Sequence, residues 1–108
     1  MSWNLLIYSP EGTSLGEPAA VKTALENAFP GFEWRTFTEG GLIVDGGFTL
    51  DLAIEEGAVR DIYTNGGYNH IRQLAALCQR QHWAMADAQE GEDIDLDDPV
   101  KWYEERME

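Results

Sequence analysis

One cysteine, Cys78, in 108 residues excludes an intramolecular disulfide and any thiolate metal cluster built within one chain. It points to a reducing cytoplasm. Basic residues are scarce too: seven Lys and Arg stand against twenty Asp and Glu, a formal net charge of -13. A surface with that field repels nucleic acid and anionic lipid, so neither is expected as a partner. No stretch approaches the roughly 20 apolar residues of a membrane span. Met1–Tyr8 is apolar but lacks a basic n-region and a small-residue cleavage site, so it reads as a first strand and not a signal peptide. The expectation is a soluble, cytoplasmic protein.

What the chain does have is material for a core. The hydrophobic fraction is 44%, with four each of Trp, Tyr and Phe, whereas a disordered acidic chain has few aromatics. At this length residues 1–108 make a single domain with one modest core.

Trp3–Tyr8 is β-rich and ends at Ser9–Pro10. Pro18 suits a first helical turn, and Val21, Ala24, Leu25, Ala28 and Phe29 follow as one helical stripe, stopped by Pro30–Gly31. Phe32–Thr38 and Leu42–Val44 read as strands. Phe48, Leu50, Leu52 and Ile54 then alternate with polar or small residues, and Glu55–Glu56–Gly57 turns the chain into a partner strand, Ala58–Thr64. A second helix starts at Asn69 as N-cap and buries Ile71, Leu74, Ala75, Leu77 and Cys78. Trp83–Asp87 and Asp93–Leu96 read as strands, and Asp98–Pro99 caps a short terminal helix that buries Val100, Tyr103 and Met107. The expected fold class is α+β: a mainly antiparallel sheet of about six strands, two helices on one face and a short C-terminal helix.

The acid is concentrated. Asp87, Glu90, Glu92, Asp93, Asp95, Asp97 and Asp98 follow one another with no Lys or Arg between Arg80 and Lys101. Asp93-x-Asp95-x-Asp97 has the first three ligand positions of an EF-hand loop, with Glu104 at its twelfth. Calcium wants several carboxylate oxygens converging from a tight loop. The sixth position, however, is Asp98 where the turn demands Gly, and Pro99 follows. Asp-x-Asp spacing also fits period-two alternation, with Ile94 and Leu96 inward and the aspartates in water. The expectation is no metal and no cofactor, with calcium as the alternative.

No complete catalytic constellation stands out, and no enzyme is expected. His70 and His82 are not an i, i+4 ligand pair. Asp61 or Asp87 would serve to assist either as a base, but no nucleophile accompanies them. Cys78 on an inward stripe is a small hydrophobe. None of Gly40–Gly41, Gly46–Gly47 and Gly66–Gly67 is followed by the Lys and Ser or Thr of a P-loop. Glu55, Glu56, Asp61 and Asp51 would join Asp87–Asp98 in one negative patch.

Leu77–Cys78, then His82–Trp83, Asp87, Gly91–Glu92 and Ile94–Asp95 form a pattern, with the hairpin and glycine break Phe48–Gly67 before it. It resembles small uncharacterised bacterial proteins, some of them immunity-like. The resemblance implies a small α+β domain in a bacterial cytosol without enzyme activity. The functional expectation is therefore an immunity protein or inhibitor that neutralises a basic toxin or nuclease by stoichiometric binding. Its contacts would be Asp87, Glu90, Glu92, Asp93, Asp95 and Asp97, with Trp102 or Tyr103 as aromatic anchors unless both pack in the core, the competing reading of each. A homo-oligomeric domain without catalysis is the remaining alternative.

Overall fold

Two helical stripes and one alternating strand decide where the core lies. The computed structural model describes residues 4–30, 35–36, 42–44, 48–66, 70–89 and 91–107. Their elements are β1 (Asn4–Tyr8), α1 (Pro18–Ala28), β2 (Arg35–Thr36), β3 (Leu42–Val44), β4 (Phe48–Glu55), β5 (Ala58–Asn65), α2 (Ile71–Gln81), β6 (Ala84–Asp87) and α3 (Pro99–Met107). The strands lie in the order β2-β3-β4-β5-β1-β6, and every pairing is antiparallel.

The α+β class holds, but the expected inventory is corrected. Four strands of four to eight residues, β4, β5, β1 and β6, make the antiparallel sheet. β3 and β2 extend its β4 edge by only three and two residues, so they are not full strands of an expected six. The terminal turn is a third helix, nine residues long. Asp93–Leu96 is not a strand either. It makes one isolated bridge, Ala86 to Asp93, after which Asp95 Oδ1 accepts the Asp97 amide at 3.0 Å and bends the backbone away.

The stripes are buried as read. Val21, Ala24, Leu25 and Phe29 of the first helical run, and Ile71, Leu74, Ala75, Leu77 and Cys78 of the second, form one core with Leu5, Ile7, Leu50, Leu52, Val59, Ile62 and Met85 from one face of the sheet. Ile54 departs from its alternation and is 47% exposed. A register shift between Ala53 and Ile54 leaves Arg60 as the extra residue of a bulge, which turns the hairpin tip off the core. Glu56 and Gly57 at that tip both have positive φ (55° and 80°), as a two-residue type I′ turn requires.

Several ends are capped by identifiable bonds. Trp83 N–H donates to Cys78 O at 2.8 Å and His82 N–H to Gln79 O at 3.4 Å, with His82 left-handed (φ 61°). Those two bonds are a Schellman motif, and they point Trp83 back into the core. The expected N-cap Asn69 lies outside the described residues, and His70 takes the N-cap position of α2 without a side-chain cap bond. Asp98 Oδ1 accepts the Lys101 amide at 3.2 Å, the N-cap read from the sequence. Tyr103 is buried and Val100 packs against the core, while the Met107 side chain lies outside the described residues.

Thr64 is a fully buried polar side chain, and its Oγ1 accepts the Leu5 amide at 3.0 Å. Thr64→Val keeps the shape and removes the acceptor. Stranding a buried N–H costs about 1–3 kcal/mol. Urea unfolding should show the midpoint falling by that equivalent with the m-value unchanged. An unchanged midpoint would mean that this bond carries no net stability.

Candidate functional site

The sheet buries one face and leaves the other without a covering helix among the described residues. The register aligns two rows across that second face. One runs Asp51, Tyr63, Leu6, Ala86, and the other Ala53, Asp61, Tyr8, Ala84. The Ala86–Asp93 bridge adds Asp93 to the first row. The face therefore carries carboxylates at Asp51, Asp61 and Asp93, and two tyrosines, of which Tyr63 is 42% exposed. Neither row holds a Lys or Arg.

The acidic segment is attached to the free edge of β6. Asp87 N–H donates to Glu92 O and Ile94 N–H to Met85 O, both at 2.8 Å, and Gly91 N–H donates to Asp87 O at 2.7 Å. Ile94 is buried as the apolar anchor of the segment. Gly91 turns it at φ 72°, a conformation that favours glycine. Asp97 Oδ1 then accepts from Gln79 Nε2 of α2 at 2.8 Å. Glu92, Asp93, Asp95, Asp97 and Asp98 are exposed and Asp87 is half-buried. Glu90 lies outside the described residues. Backbone bonds thus hold a charged rim in a fixed place.

Tyr8 links face and rim. Its phenol donates a hydrogen bond to Asp93 Oδ1. That bond, followed by burial and the Asp93 charge, pushes the phenol up to about 12. A folded value above the ordinary one near 10 contributes stability that is fully present below pH 10 and lost as pH rises through about 12. In an alkaline absorbance titration, wild type minus Tyr8→Phe should show a phenol ionising near pH 12. A difference curve centred near 10 would contradict the bond.

Leu6, Tyr8, Ala86, Ala88, Gly91 and Asp93 border a groove of about 270 Å³ between β1, β6 and the acidic segment. Sequence reasoning passed over Leu6, Tyr8 and Ala86. The signal was Asn4–Tyr8 itself, where Leu5 and Ile7 are buried yet Leu6 and Tyr8 are also large and apolar. A strand with one wetted face would alternate.

The expected aromatic anchors are corrected. Trp102 and Tyr103 are 7% and 3% exposed, packed in the core where α3 meets α2. The aspartates of the calcium alternative lie on the acidic segment. Among the described residues no group of three His, Cys, Asp or Glu is placed to hold a metal. Asp93 accepts from Tyr8, Asp95 from the Asp97 amide and Asp97 from Gln79. Burial pushes the Cys78 thiol up to about 12, which suits a packing residue. The His70 ring packs edge-on against Phe29 at 5.9 Å, and its Nδ1 lies 3.0 Å from Gln73 Oε1.

Among the described residues no helix is long and apolar enough to cross a membrane. No family model matches the chain, and neither a curated protein nor a solved structure shows significant similarity to it.

Proposed function

We propose that this is a stoichiometric binding protein that captures a basic protein partner on its acidic surface, as an immunity protein or inhibitor of a basic toxin or nuclease does in a bacterial cytosol. It acts by occupancy and not by catalysis. One observation carries the reading: Asp93, Asp95 and Asp97 stand exposed on a segment pinned by backbone bonds to β6, beside an open sheet face that adds Asp51 and Asp61. A chain that needed charge only for solubility would have no use for that fixed placement. A fixed negative surface steers a basic partner into contact and limits the side-chain ordering that binding costs.

Capture from the source cell tests it. Wild-type protein used as bait should retain a basic protein in a 1:1 complex, and a variant with Asp93, Asp95 and Asp97 changed to Asn should lose it. Mixing should also suppress the partner's own activity. If the variant retains the same proteins as wild type, the reading fails.

A further inference from the structure

The groove beside Asp93 specifies more than charge. It has an apolar wall, Leu6 with Ala86 and Ala88, and two acidic residues in its lining, Asp93 and Asp87, the latter with Oδ1 accepting the Gln89 amide. Asp93 Oδ1 accepts from Tyr8, whereas Oδ2 has no partner among the described residues. The Tyr8 bond therefore holds the exposed carboxylate while leaving it further acceptor capacity. At about 270 Å³ the groove falls just below the roughly 300–1,000 Å³ of small-molecule sites. Its room equals that of about nine liquid waters, suited to one extended side chain. A second copy of this chain is a poor occupant, because face-to-face contact would bring two like-charged faces, each with Asp51, Asp61 and Asp93, together.

A long apolar stem ending in a cation matches this shape, and that leaves lysine and arginine. Lysine carries a compact, strongly hydrated charge. Arginine carries a planar, more weakly hydrated fork that bonds a fixed carboxylate through two N–H groups. We infer that the groove receives one arginine side chain of the basic partner, its stem along Leu6, Ala86 and Ala88 and its guanidinium on Asp93. This rests on the docking function proposed above and names the group that docks.

The test is an NMR titration of the full chain at low ionic strength with acetyl-Gly-Arg-Gly-amide and its lysine counterpart. Amide shifts should centre on Leu6, Ala86 and Asp93, with the arginine peptide binding several-fold tighter. Asp93→Asn retains an acceptor for Tyr8 and should weaken binding about tenfold, the loss expected of a charge-assisted bond. Ala88→Phe changes no charge and fills the groove from an exposed position, and it should weaken binding by a similar factor. Equal binding of both peptides, indifferent to Ala88→Phe and weakened only by neutralising Asp95 and Asp97, overturns the arginine site and leaves the acidic docking surface standing. Absence of shifts with either peptide at millimolar concentration also overturns the site. The wider docking function is decided separately by the capture experiment.

Discussion

Trp102→Ala is expected to lower the unfolding free energy by about 3–5 kcal/mol, the usual cost of truncating a buried tryptophan. Domains of this kind are stable by only about 5–15 kcal/mol, so the variant should sit near the threshold of folding. The reason lies in how α3 is held. Trp102 and Tyr103 are buried side by side, their rings meeting edge-to-face at 4.9 Å, where α3 packs on α2. A nine-residue helix cannot persist alone in water, so losing the anchor releases the whole element. Urea unfolding followed by circular dichroism should show an early midpoint and reduced helical signal. An effect within about 0.5 kcal/mol, as for an exposed residue, would place Trp102 at the surface and restore it as a contact residue.

Changing Asp93, Asp95 and Asp97 to Asn is expected to act on binding and leave the fold intact. The association rate with the captured partner should fall by about 10–100-fold at low ionic strength. The gap should close as salt rises, since the Debye length shrinks from about 30 Å at 0.01 M to about 8 Å at 0.15 M. Asp98 is left out because it caps α3, where Asn would keep the acceptor but lose a favourable negative charge at the helix start, about 0.3–1 kcal/mol. Stopped-flow association across a salt series measures the effect. A salt-independent rate, equal in wild type and variant, would rule out steering by this segment.

The parts of the fold that were legible in the sequence are those set by local periodicity. The stripes Val21–Phe29 and Ile71–Cys78 appear as buried helix faces, and Asp98 caps α3. Failures arose where a side chain competed with the backbone or a ladder slipped. The Asp95 carboxylate takes the Asp97 amide and ends what alternation presented as a strand, and the bulge at Arg60 exposes Ile54. The site divides the same way. Its acids stand in plain sequence, but the groove exists only because β1 is inserted between β5 and β6. That pairing brings Tyr8 to Asp93, 85 residues away. No local pattern encodes such a meeting. Trp102 could be read either as a contact or as a core residue for a related reason, since a nine-residue helix reveals little of which side α2 will cover.

The central claim is that a partner binds a preformed acidic rim and the sheet face beside it. Amide hydrogen exchange on the free protein and on its complex with the captured partner tests this most directly. In the free protein the Asp87 and Ile94 amides should already be protected, because they donate to Glu92 and Met85. In the complex, slowing should spread over residues 91–97, β6 and β1. Unprotected Asp87 and Ile94 amides in the free protein, or a footprint confined to α1 and α2, would contradict it.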